Sequence, residues 1–134
     1  MRLSAATDQK NRTNNKRLNL SLEAERSGLA MVLHCQGRVI FRNEARQLSA
    51  IVSDVLPRSQ RMIVDLAGVD SVDQGGLGEL VLTQLWAEAS GYKLLFASPK
   101  KAVRHLFEIT HVAPIFDIYP SVAEAMAAMA TARA

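Results

Sequence analysis

Cys35 is the only cysteine in 134 residues, so no disulfide can form within the chain and packing alone must hold the core. Aromatic residues make up 5% of the chain, which leaves Leu, Val, Ile, Ala and Met to fill that core. No apolar run approaches the ~20 residues that a membrane-spanning helix requires. The first residues also lack the apolar stretch of a secretory signal. With neither a signal nor a span, the expectation is a cytoplasmic protein. His34, His105 and His111 share no metal-ligand spacing with Cys35 or an acidic residue, so no metal is expected. Gly76-Leu77-Gly78 opens like a dinucleotide fingerprint, but Val81 stands where the third glycine belongs, and no Gly-Lys-Ser/Thr phosphate loop follows. Asp65, Asp70 and Asp73 lack the acidic pair that a phospho-receiver carries after its first strand. No cofactor and no catalytic residue are expected, and the chain reads as a binding module rather than an enzyme.

The net charge of +3 is concentrated at one end. Arg2, Lys10, Arg12, Lys16 and Arg17 face only Asp8 within the first seventeen residues, so the remainder is close to neutral. No aromatic side chain interleaves those cations to stack on bases, which argues against direct nucleic-acid binding. Residues 1–16 are polar and without periodicity, and read as a flexible basic tail. Residues 17–134 read as one domain, a size that buries enough surface to fold unaided.

Within the domain, Leu18, Leu20 and Leu22 alternate with polar residues at the period of a strand. Turn chemistry at Glu25 to Gly28 and a second alternating run, Leu29 to Gln36, complete a hairpin, and Gly37 ends it. A helix is expected from about Arg42 to Leu56, stopped by Pro57. Met62 to Leu66 is a short apolar strand, followed by a turn-rich stretch from Ala67 to Gly76. The next helix runs to Ala89, with Leu77, Leu80, Val81, Leu85 and Ala89 as its inner stripe and Gly91 as a left-handed cap. Lys93 to Ala97 is a strand. Ser98 and Pro99 are placed to start a helix that buries Ala102, Val103, Leu106 and Phe107. A last strand, Ile115 to Tyr119, leads to a terminal helix opened by the capping box Ser121 to Glu124. Strands alternating with helices imply parallel pairing after the hairpin. The expected fold is α/β: a mixed sheet of four to five strands with an N-terminal hairpin and about four helices.

One segment carries more than architecture. Ile63 to Leu66 is a buried strand, Ala67 to Val72 a turn, and Asp73-Gln74-Gly75-Gly76-Leu77 the start of a helix. This resembles the signature of STAS domains, the sulfate-transporter and anti-sigma-factor-antagonist family. There an apolar strand and Asp-Leu-x-x-Val precede Asp-Ser-Ser-Gly-Leu or Asp-Thr-Ala-Gly-Leu. Gly37 to Phe41, Lys93 to Ile109 and Phe116 to Ala128 extend the similarity over about residues 17–130. The resemblance implies a mixed sheet with helices mainly on one face. It also implies docking onto a serine-kinase-type anti-sigma factor, released in the family by phosphorylation of the second Ser. Here Gln74 and Gly75 occupy the two Ser positions, and Gly75 has no hydroxyl to phosphorylate. Ser71 lies in the approach turn and does not inherit that role. The implied partner surface is Arg38, Asn43, Asp73, Gln74, Gly75, Gly76, Leu77, Ser98 and Lys100, from three segments at one end of the parallel sheet. Asp73 either caps the helix or points towards the partner. The glycines either make the turn or also serve docking. Trp86 is either core or part of a contact patch. Two other functions stay open: a regulatory subunit on the ABC-type ATPase of a lipid transport complex, and a small-ligand or nucleotide-binding domain.

Overall fold

The computed structural model describes residues 2–4 and 20–131. One mixed sheet organises them, with strands in chain order from edge to edge. The strands are β1 (Arg2–Ser4), β2 (Leu20–Ser27), β3 (Ala30–Val39), β4 (Arg61–Val72), β5 (Lys93–Ala97) and β6 (Ile118–Tyr119). The helices are α1 (Asn43–Ser59), α2 (Gln74–Ala89), α3 (Lys101–Ile109) and α4 (Val122–Thr131). β1, β2 and β3 pair antiparallel, and β3 to β6 are parallel. The α/β class, the hairpin and the four helices are therefore as expected. The five strands β2 to β6 match the expected sheet, and β1 adds a three-residue edge.

β1 departs from the flexible lead-in expected for residues 1–16, because Arg2–Ser4 pair with Glu23–Glu25. Three residues are too few to show a period, whereas the outer edge of β2 offers unpaired N–H and C=O groups that a passing segment can take. The rest of that expected tail lies outside the described residues.

Alternation along β3, β4 and β5 sorts side chains to two faces. Leu33, Cys35, Met62, Val64, Leu94 and Phe96 point to the larger core beneath α1, α2 and α3. Val32, Ile63, Leu95 and Ala97 point to the smaller core that Ala125 and Met129 of α4 cover. Phe116 closes the larger core between Phe96, edge-on at 5.1 Å, and Phe107, stacked at 5.0 Å. Such pairs add roughly 0.5–1.5 kcal/mol beyond the area they bury.

Several boundaries differ from the sequence reading, each for a local reason. The hairpin turn is Gly28-Leu29, with φ +59° at Gly28 and Ser27 facing Ala30, so β2 runs through the residues expected to turn. Gly37 does not end β3; it sits beside a shift of register, and the strand continues to Val39. Pro57 does not stop α1, which goes on to Ser59 and ends at a left-handed Gln60. In the last turn a proline forfeits a single ladder bond and need not break the helix. Ser98 and Pro99 precede α3, whose N-cap is Lys100. Ser98 has φ +61° and donates its N–H to Tyr119, which holds it in the sheet connection. Of the last strand expected at Ile115 to Tyr119, Ile115 ends a 3-10 turn that begins at Ala113, and only Ile118–Tyr119 form β6.

The largest difference is β4, which extends through Val72 rather than ending at Leu66. Gln36 pairs with Gly68 and Arg38 with Ser71, so β4 carries extra residues at two places and bends there. A side chain on Gly68 would stand 2.7 Å from the Cys35 carbonyl oxygen, which is why glycine occupies the first bulge. β5 pairs only as far as Asp65. The last seven residues of β4 thus project beyond β5 with β3 alone beside them, and they deliver Asp73 to the end of the sheet.

Candidate functional site

Asp73 is the knot of this end. It is the N-cap of α2, and its Oδ1 accepts the Gly76 N–H at 2.7 Å. The same carboxylate accepts the Phe41 N–H, at 3.0 Å to Oδ1 and 3.2 Å to Oδ2. Its own N–H donates to the Val39 carbonyl at 3.3 Å. Asp73 therefore joins the end of β3, the connection into α1 and the start of α2. Between the two roles left open for it, the geometry uses the carboxylate inside the domain.

The two glycines that follow are pressed by that connection. A methyl group on Gly76 would overlap the Val39 carbonyl oxygen, and one on Gly75 would overlap Cβ and Cγ of Phe41. Gly76 is buried and Gly75 half-buried. What solvent meets here is Phe41, a residue 53% exposed, with the Arg42 guanidinium 5.6 Å from its ring centroid. Arg42 itself has φ 79° and ψ −92°, a conformation that costs a non-glycine residue about 1–3 kcal/mol.

The expected site residues divide accordingly. Arg38, Asn43 and Gln74 are exposed around Asp73 and Gly75. Leu77 is 4% exposed and belongs to the core, and Gly76 lies under Val39, so neither presents a side chain to another molecule. Ser98 is half-buried, and with Lys100 it follows the end of the shorter β5, set back from the tip of β4. Lys100 reaches the tip through a 2.5 Å pair with Asp70, an exposed contact of the kind worth ~0–1 kcal/mol. Two of the three expected segments meet directly and the third is tethered beside them. Ser71 pairs with Arg38 within the sheet rather than starting the helix.

Of the expected inner stripe, α2 buries Leu77 and Leu80 and packs Val81 against the core, but turns Leu85 and Ala89 outward. Gly76, Leu77, Leu80, Thr83, Gln84 and Ala87 are buried. Leu85, expected inside, is 47% exposed, and Leu82 is 63% exposed. Ala89 is exposed as well. Thr83 is satisfied inside by donating to the Glu79 carbonyl at 2.8 Å. Gln74, Gly78, Leu82, Leu85 and Ala89 make one outward stripe leading away from Phe41. A shallow groove of about 210 Å³ runs beside it between α1 and α2, lined by Ser49, Ser53, Glu79, Leu82, Thr83 and Trp86. Trp86 is half-buried at this edge, with Tyr92 5.6 Å away.

Elsewhere Cys35 and His34 are engaged within the domain. Cys35 is buried, and burial, reinforced by the Asp65 charge, pushes its thiol well above the usual range, so it stays protonated and unreactive. His34 on the opposite sheet face has Nδ1 2.7 Å from Asp65 and Nε2 3.3 Å from Glu25. Among the described residues no group of three His, Cys, Asp or Glu could hold a metal ion, and no helix is long and apolar enough to cross a membrane.

Comparison with known proteins agrees with this architecture. The family model of the STAS domain matches residues 21–125. An anti-sigma factor antagonist from Mycobacterium paratuberculosis superposes with a TM-score of 0.68 at 20% identity, over 81% of this chain and 92% of that one. SpoIIAA, an anti-sigma factor antagonist and Bacillus cell fate determinant, gives 0.66 at 18% identity in its unphosphorylated form, over 84% of this chain and 99% of that one. A domain of the murine anion transporter Slc26a9 gives 0.62 at 16% identity, over 89% of this chain and 20% of the transporter.

Proposed function

The chain belongs to the STAS domain family, and on that footing we propose that it acts as an anti-sigma-factor antagonist, a non-catalytic module that docks onto a serine-kinase-type anti-sigma factor. The observation that carries this reading is the apolar surface that α2 leaves on its outer side. A helix left to solvent keeps its leucines inside and its Thr and Gln outside. Here Thr83 and Gln84 are buried while Leu82 and Leu85 face out, in line with the Gln74–Gly78 segment. Exposed apolar surface next to the family's signature segment supports a protein partner on that face.

Regulation differs from the branch that carries Ser-Ser. A phosphate would add about −1.5 to −2 charges at the docking surface and oppose binding. Gly75 has no side-chain hydroxyl to accept one. In this reading the chain binds constitutively and is controlled by its abundance or by the state of its partner.

The test is to mix the purified chain with a serine-kinase-type anti-sigma factor and ATP. A stable complex with no phosphate incorporated is expected, and Leu82→Asp should weaken it roughly 30-fold or more, the scale of a hot-spot loss. Stoichiometric phosphate on Ser71 would overturn the constitutive mode. Absence of any complex, or recovery instead on the ATPase of a membrane transporter, would overturn the antagonist reading.

A further inference from the structure

We propose that Phe41 is the residue the partner reads at the end of the sheet, and that position 75 is glycine because Phe41 occupies the space a side chain would need. The inference rests on the docking reading above and adds which group is recognised and what receives it. One side of the Phe41 ring lies against Gly75, and the residue is still 53% exposed. That exposure leaves apolar surface in water which a partner's contact would remove.

The loop that presents Phe41 is held, not loose. Its N–H is gripped by both oxygens of Asp73. The Ile40 carbonyl accepts from Ala45 at 2.9 Å and the Arg42 carbonyl from Arg46 at 2.8 Å. Arg42 keeps its strained φ of 79° between these anchors. A surface aromatic prepaid in this way binds with little further ordering, the property that lets such residues dominate interfaces.

Charge around the ring states what the partner must offer. Arg42 beside the ring, Arg38 near the end of β3 and Arg46 in the first turn of α1 are all exposed. Glu44 is buried, Asp73 is committed to N–H groups, and Asp70 faces Lys100. The complement is an apolar pocket bordered by Asp or Glu carboxylates. Position 75 and position 41 then exclude one another: a side chain at 75, serine included, dislodges Phe41. Restoring the family's serine here would damage docking before any phosphate arrived.

A double-mutant cycle tests this with the kinase-type anti-sigma factor that binds the wild-type chain, read by calorimetry. Phe41→Ala should weaken binding about 30-fold with the thermal midpoint unchanged. Gly75→Ala should lose a similar factor, and combined with Phe41→Gly, which removes the overlapped Cβ as well as the ring, it should be no worse than Phe41→Gly alone. Arg42→Glu should slow association and reverse its salt dependence. Wild-type affinity in Phe41→Ala, losses that simply add, or faster association of Arg42→Glu would each overturn the proposal while leaving the docking reading in place. Should Gly75→Ala fail to fold, Phe41→Ala and Arg42→Glu still decide. If no such factor binds the wild-type chain, the docking reading itself falls, and this inference with it.

Discussion

Gly91 follows the C-terminal end of α2 with φ +83°, and nothing lies within 4 Å of the place a Cβ would take. Gly76, at the other end of the same helix, has no positive φ, and its Cβ would collide with the Val39 carbonyl. The first position needs a conformation and the second needs the absence of an atom. Around Gly91 the chain closes a standard helix stop. Tyr92 donates to Ala87 at 2.9 Å and Gly91 to Glu88 at 3.1 Å, while Tyr92 packs near Trp86. Around Gly76 two connections cross at main-chain contact, with a strained Arg42 and an exposed Phe41 on top. One end of α2 is made to terminate a helix, the other to present a rigid surface.

The sharpest way to break the comparison is Gly76→Ala. The atom it meets is main chain, and Val39 is fixed by the Asp73 N–H, so neither side gives easily. A loss of about 3 kcal/mol is expected, the upper range for overpacking. Urea unfolding measures it. An unchanged midpoint would mean that the end of β3 yields, and that the two glycines do not differ in kind.

Gly91→Ala should cost less, ~1–2 kcal/mol, because the penalty is the left-handed backbone alone. Gly91→Asn should recover part of it, since Asn tolerates that backbone and open space admits its side chain. At Gly76 the same exchange should be worse than Ala. Equal responses at the two positions would erase the distinction.

The order of the elements was legible because each obeys one period. Leu20 and Leu22 alternate into the core, and Leu48, Val52 and Val55 recur at helical spacing. Caps were legible where one residue decides them, as at Gly91 and at Ser121, whose Oγ accepts the Glu124 N–H at 3.1 Å, whereas Asp73 stayed open between a cap and a partner contact. The second half of β4 was not. Two bulges interrupt its period of two, and Gly68 and Asp70 then read as turn residues. The face of α2 was not legible either, because its apolar residues lie all round the helix and spacing alone cannot say which leucines stay outside. Phe41 was legible only as part of the Gly37 to Phe41 segment and not as a site residue of its own. Its meaning depends on Gly75, thirty-four residues later in the chain, and the sole local sign was a glycine in place of a hydroxyl-bearing residue.

The smallest expected effect carries the finest distinction. Gly78 is exposed on the outward stripe of α2, has no positive φ, and has nothing within 4 Å of a Cβ position. It therefore resembles neither Gly76 nor Gly91: the folded chain requires neither its shape nor its small size. Gly78→Ala should stabilise the isolated domain by about 0.5–1 kcal/mol, the usual gain on removing glycine from a helix interior. If a partner lies along Gln74, Gly78, Leu82 and Leu85, the same methyl group meets the partner's surface instead of water. Stability should then rise while affinity falls. A thermal melt and a titration on one protein preparation read both signs. A rise in stability with unaltered affinity would move the contact away from the helix and onto the Phe41 tip alone.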